Sequence, residues 1–280
     1  MELPSNSGEV RLAVLIDADN VSSQNIQPMM EEIARYGNPT IKRIYGDWTK
    51  PNLASWKALL LDYAISPVQQ FAYTSGKNAT DSAMIIDAMD ILYDGKIDGY
   101  CLVSSDSDFT RLAMRLREAG KLVIGIGEQK TPNAFISACD RFIFQEVIRG
   151  QKPKQAKTQT NGKKKTEPEK QKPKTKVEEP ESPAIREIDD DLIDLISSSI
   201  EDTQDDNGWA FLAEVGNLMM KKQPSFDARN YGFSRLTPLI QSIGAFDVDV
   251  RDTGSGQSKH IYVRIKEEKK TTKARNVRSF

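Results

Sequence analysis

Residues 10–17, VRLAVLID, form a near-continuous apolar run that ends on a carboxylate. A strand with one wet face alternates apolar and polar residues, so this run reads as a strand buried on both faces. Such a strand needs a sheet with helices packed on either side. The sequence that follows supplies them. Residues 24–36 place Ile26, Met29, Met30 and Ile33 at helical spacing, residues 40–48 are rich in β-formers, and residues 52–62 read as a helix. Residues 67–73 predict a third strand, and 80–95 a long helix that stops at Gly95. Residues 99–105 predict a buried strand, 108–119 a helix ending at Gly120, and 121–127 another strand. A short helix near 132–138 and a last strand near 141–144 complete the series. Strand–helix alternation of this kind predicts an α/β fold, an open, mostly parallel sheet with right-handed crossovers.

Composition removes several chemistries. The chain has one histidine, His260, and two cysteines, Cys101 and Cys139. A Ser-His-Asp or Cys-His centre has no histidine near its nucleophile, and a zinc site lacks ligands. The cysteines make neither a disulfide framework nor a redox pair, and Cys101 reads as a small buried hydrophobe. No apolar run has the length of a membrane span, and the first residues lack a secretory pattern, so a cytoplasmic protein with no membrane partner is expected. Any chemistry falls to carboxylates, amides, hydroxyls, Lys and Arg.

Composition shifts after Gly150. Residues 151–187 are rich in Lys, Pro, Thr and Gln with almost no large apolar side chains, and they read as a disordered linker. The net charge of −1 is segregated, at −4 over residues 1–150, +5 over 151–187 and −2 over 188–280. The linker is either a phosphate-binding tether or a solvated Lys-rich spacer. With so little to bury in the linker, the flanking domains are expected to fold independently.

In open α/β sheets, ligands bind beyond the carboxyl ends of the strands. Acids gather at those ends. The first strand runs into Asp17-Ala18-Asp19-Asn20. Asp81 opens the helix after the third strand, behind Gly76-Lys77-Asn78-Ala79-Thr80. The fourth strand runs into Ser104-Ser105-Asp106-Ser107-Asp108-Phe109. Gathered carboxylates repel one another unless a divalent cation lies between them, and an all-oxygen set suits Mg²⁺ or Mn²⁺. Taken singly, Asp81 and Asp108 also read as helix-start acids. Asp87, Asp90, Asp94 and Asp98 read as a solvated face. Lys77 and Ser105 stand where they would contact a phosphate.

The segments LIDADN, GKNATDSAMIIDAM, YCLVSSDSDF and GKLVIGIG, in that order, resemble the NYN-domain family over residues 9–148. That family is a branch of the PIN-like nucleases, with members called LabA-like. The resemblance implies a PIN-like, Rossmann-like sheet. It implies Asp17, Asp81, Asp106 and Asp108 as catalytic metal-binding acids for Mg²⁺ or Mn²⁺, with Asn20 orienting a ligand or water. Ser104-Ser105 stands where Ser-Gly is expected.

Residues 188–200 carry an apolar helical face, and helices are expected at 210–222 and 229–243. FDVDVR and HIYVRI alternate with period two around a turn-rich segment, as in a hairpin. Helices followed by a hairpin make a winged helix. Residues 188–266 are similar to the OST-HTH (LOTUS) domain, most clearly at Phe226-Asp227-Ala228-Arg229-Asn230-Tyr231-Gly232-Phe233. The resemblance implies binding of RNA, single-stranded or structured, or of a protein partner. Arg229 and Tyr231, with Arg235, Lys259 and His260, are the candidate substrate contacts; Tyr231 reads equally as core, Phe233 as core, and His260 as surface.

The function these readings predict is a metal-dependent endoribonuclease with an attached RNA-binding module. A non-catalytic RNA-binding adaptor is the alternative. Asp17-x-Asp19 also resembles the entry motif of haloacid-dehalogenase-type phosphatases, in which Asp17 would be a covalent nucleophile.

Overall fold

A computed structural model of the chain describes residues 9–71, 79–150, 185–252 and 259–266. The first domain holds β1 (Arg11–Asp17), β2 (Asn38–Gly46), β3 (Ser66–Gln69), β4 (Gly99–Val103), β5 (Leu122–Gly127) and β6 (Arg141–Phe144). Its helices are α1 (Ile26–Ile33), α2 (Trp56–Asp62), α3 (Ala79–Asp94), α4 (Thr110–Glu118), α5 (Asn133–Ala138) and α6 (Gln145–Gly150). The strands pair in the order β3-β2-β1-β4-β5-β6, all in parallel. The strand order reverses between β1 and β4, which makes their carboxyl ends the switch point of the sheet.

Period-two alternation splits β1 between two cores. Ala13 and Leu15 join Tyr100 and Leu102 under α3, α4 and α5, with Met84, Ala88, Leu112 and Phe135. Leu12, Val14 and Ile16 join Cys101 and Val103 under α1, α2 and α6, with Met29, Ile33, Trp56 and Ile148. Each fully buried Leu, Ile or Phe contributes roughly 1.5–3 kcal/mol of transfer free energy, so the strand that ends at Asp17 is anchored from both faces. At Gly127, closing β5, a Cβ would lie 2.7 Å from Ser104 O and 2.7 Å from Thr131 Oγ1. Glycine there lets β5 lie close against the loop that carries the acids.

One surface reading is corrected. Asp87 on α3 is half-buried, pairs with Arg43 and accepts from Tyr45 Oη, so it ties α3 to β2. Asp98 keeps its place at the surface, paired with Arg11 at 3.2 Å.

The second domain holds α7 (Asp190–Glu201), β7 (Ala210–Phe211), α8 (Leu212–Lys222), α9 (Leu236–Ile243), β8 (Phe246–Asp252) and β9 (Lys259–Ile265). The sheet order is β7-β9-β8, antiparallel. The helix expected over 229–243 is broken. A 3-10 turn over Ala228–Tyr231 ends at Gly232 with φ 86°, and α9 starts only at Leu236. Gly232 takes the left-handed conformation that stops a helix.

The two domains are packed together, which corrects the expectation of few crossing contacts. Arg229 donates to Glu32 at 2.7 and 2.9 Å and to Asp227 at 2.7 Å. Arg141 lies over the Tyr36 ring at 5.2 Å and reaches Asp227 at 3.5 Å. The Phe142 amide donates to Pro224 O at 2.9 Å, so the outer edge of β6 is occupied by the second domain. Ile185 and Arg186, assigned to the linker from composition, form part of this contact. Ile185 and Arg186 amides both donate to Asn230 O at 2.9 Å, and Gln129 Nε2 donates to Ile185 O at 3.0 Å. The rest of the expected linker, residues 151–184, lies outside the described residues.

Candidate active site

β1 delivers Asp17 at its last residue, and the turn after β4 delivers Asp106 and Asp108. Asp106 caps the short 3-10 turn Ser107–Phe109, its Oδ1 accepting the Asp108 amide at 2.9 Å. Asp81 lies in the first turn of α3, across the switch point. One carboxylate oxygen each from Asp81, Asp106 and Asp108 falls within 4.8 Å of the others. Asp81 and Asp106 are half-buried and Asp108 is exposed.

Asp17 does not join this group of three. It is 1% exposed, and its oxygens already accept from the Asp19 amide (3.1 Å), Asn20 Nδ2 and Ser104 Oγ (2.9 Å). Burial raises its carboxyl above the ordinary range, more than the hydrogen bonds from Asn20, Ser104 and the Asp19 amide lower it. A covalent nucleophile needs open approach, so this setting also removes the support for the phosphatase reading. Asp17 is buried outside that group and orients Asn20, which is half-buried.

Asp81 feels all of these charges. Its carboxyl is pushed up to about 6, first by burial, then by the charges of Asp17, Asp106, Asp108 and Asp19. The unfolded chain holds this carboxyl at its ordinary value of 3.8. Between the two values the folded chain binds the proton and the unfolded chain does not, so the fold loses stability as pH rises through that window. In a chelating buffer, the melting temperature of the wild type should therefore fall relative to Asp81→Asn as pH climbs from about 4 to about 6, and the difference should level off above that. Parallel pH profiles for the two proteins would dismiss the shift.

Ser104, which carried no role in the sequence reading, is a structural joint of the site. It is fully buried; its Oγ donates to Asp17 and accepts the Asp106 amide at 3.1 Å, linking the ends of β1 and β4. A hydroxyl placed between a strand-end acid and a second acid two residues on was the available signal. Ser105, read as a phosphate contact, is buried, and its Oγ accepts the Glu128 amide at 2.8 Å, so it braces the turn after β5. Lys77 lies outside the described residues.

Arg229 and Tyr231, read as substrate contacts, are used differently. Arg229 is spent on the domain contact with Glu32 and Asp227, and Tyr231 is 5% exposed, its ring 6.4 Å from that of Phe226 in the second core. Burial alone would raise Asp227, but the hydrogen bonds and charge of Arg229 and the charge of Arg141 outweigh it and hold that carboxyl below the ordinary range.

An NYN domain is matched over residues 11–148 and an OST-HTH/LOTUS domain over residues 183–257. The chain is similar to an uncharacterized protein of Methanocaldococcus jannaschii, 29% identical over 126 residues, which cover 44% of this chain and 49% of that protein. The chain thus spans about half the length of that relative. Among solved structures, it is similar to a protein of unknown function from Vibrio parahaemolyticus, with 20% identity, 51% of this chain and 94% of that one covered, and a TM-score of 0.40. It is also similar to a Chromobacterium violaceum protein, with 30% identity, 30% and 90% covered, and a TM-score of 0.24. No helix among the described residues is long and apolar enough to cross a membrane. The chain carries an NYN domain, a PIN-like α/β fold whose acids meet at the switch point of its parallel sheet, followed by an OST-HTH/LOTUS domain.

Proposed function

We propose that the chain is a metal-dependent endoribonuclease that hydrolyses RNA phosphodiester bonds, with the OST-HTH domain contributing RNA binding. The observation that carries this reading is the approach of Asp81, Asp106 and Asp108 to within 4.8 Å at the sheet's switch point. Three carboxylates at that separation are an all-oxygen donor set, the kind that holds Mg²⁺ or Mn²⁺, and no histidine or cysteine joins them to favour zinc. Asp81, Asp106 and Asp108 would hold the cation, and the Asp17 charge would add to its attraction. A bound divalent cation supplies charge stabilisation to the phosphodiester and lowers the pKa of an attacking water. Asn20, fixed by Asp17, presents its remaining amide valences beside the acids to orient substrate or water. Lys77 is proposed as a contact to a neighbouring phosphate. Ser104 acts as a positioning residue by holding the two loops together.

The test is cleavage of a single-stranded RNA by the full chain. Cleavage should require Mg²⁺ or Mn²⁺, stop in EDTA, return when either ion is restored, and survive a chelator selective for zinc. Full cleavage in EDTA would sink the metal reading. RNA binding without cleavage under every ion condition would make the chain an RNA-binding adaptor instead.

A further inference from the structure

With Arg229 and Tyr231 committed to the domain contact and the core, RNA affinity in the second domain needs another surface. The strand register identifies one. Val263 pairs with Ala210 on one side and Val248 on the other, and Ala210 and Val263 are fully buried. Successive side chains on a strand point to opposite faces, so the residues one position along project outward. There Tyr262 pairs with Phe211 and with Asp249, and His260 pairs with Arg251. None of Trp209, Phe211, His260 and Tyr262 belongs to the apolar core beneath. The Phe211 ring lies 5.0 Å from His260 and 5.8 Å from Tyr262. Arg251 stands over Tyr262 at 4.1 Å and over Trp209 at 5.3 Å, and Arg264 over Trp209 at 4.6 Å. Asp249 accepts from Arg251 at 2.9 Å and Asp247 from Arg264 at 3.2 Å, so each guanidinium plane is held in place.

We infer that this outer face of the β7-β9-β8 sheet, with Trp209, is a stacking surface for the bases of single-stranded RNA. The inference rests on the RNA-binding reading of the second domain. Aromatic rings and guanidinium planes are the two side-chain surfaces on which unpaired bases stack, and stacking tolerates any base sequence. Of the aliphatic side chains on the long strands, Val248, Ile261, Val263 and Ile265 pack toward the core and Val250 is half-exposed toward the end of β8, so the outward face is aromatic and charged and offers an apolar protein partner little.

The experiment uses the full chain carrying Asp106→Asn, so that RNA survives the titration. Binding of a short single-stranded RNA should quench tryptophan fluorescence, and Trp209→Phe should remove the share of that quench that arises in the second domain, since Trp48 and Trp56 lie in the first. Tyr262→Ala should weaken binding about 10-fold, while Tyr262→Phe, which keeps the ring, should retain it. Circular dichroism and melting of both variants establish that the half-exposed site has been changed without unfolding the chain. Unaltered affinity in Tyr262→Ala and Phe211→Ala, with RNA still bound, would overturn the stacking surface and leave the bound RNA to another surface of the chain. Failure of the Asp106→Asn chain to bind RNA even at low salt would overturn both readings and leave the face to a protein partner.

Discussion

Asp106→Asn should reduce RNA cleavage by at least about 100-fold, the upper end of what is lost when even outer partners of a metal site are removed, while the chain stays folded. The side chain has two jobs that the substitution separates. As a cap, its Oδ1 accepts the Asp108 amide, and Asn caps about as well as Asp, so stability should move by no more than about 0.5 kcal/mol from this source. As a charge, it is one of three carboxylates that meet around a common point, and that job ends with the substitution. Removing it should also lower the raised Asp81 carboxyl, since Asp106 is one of the charges that push it up. Cleavage at the wild-type rate by a folded Asp106→Asn protein would refute the metal role. A loss of cleavage together with unfolding would instead mark Asp106 as structural, which the melting curve decides.

Arg229→Met should destabilise the protein by about 3–5 kcal/mol, the range for removing one partner of a buried ion pair. Arg229 is the shared partner of Glu32, which is 2% exposed, and of Asp227. Glu32 retains a 3.0 Å contact to Arg35, a side chain that is itself largely exposed. Without Arg229 the two carboxylates keep their burial and lose their common counter-charge. The largest local effect should fall on the domain contact, so the Phe142 amide, which donates to Pro224 O, should exchange with solvent faster. Adding Glu32→Gln should recover part of the loss, because the double variant no longer buries that uncompensated charge. Chemical denaturation of the four proteins closes this cycle. Additive losses, or a single variant as stable as the wild type, would mean that the domain contact does not depend on the pair.

The elements of the first domain were legible in the sequence because their signals are local. An apolar run such as 10–17 can satisfy its backbone and bury its side chains in few other ways, and the acids that follow β1 and β4 are placed by chain continuity alone. Two short elements, β7 and α6, were not legible. β7 has two residues, too few to show any period, and α6 follows β6 without a break. The helix expected over 229–243 failed because apolar spacing says nothing of the backbone at Gly232, whose left-handed conformation ends the turn.

For the site, the sequence by itself determined which acids exist, at which strand ends they stand, and that no histidine or cysteine pair accompanies them. Tertiary structure decided their order. It set Asp81 with Asp106 and Asp108 and left Asp17 outside that group, buried with its oxygens accepting from Ser104 Oγ and Asn20. It also decided the fate of Arg229. In sequence an arginine beside a tyrosine in a helix-turn-helix looks equally fit for phosphate or for carboxylate. Only the fold shows that Glu32, 197 positions away in the chain, is the anion it meets. A guanidinium takes whichever oxyanion the packing brings to it, and sequence neighbours do not reveal which that is.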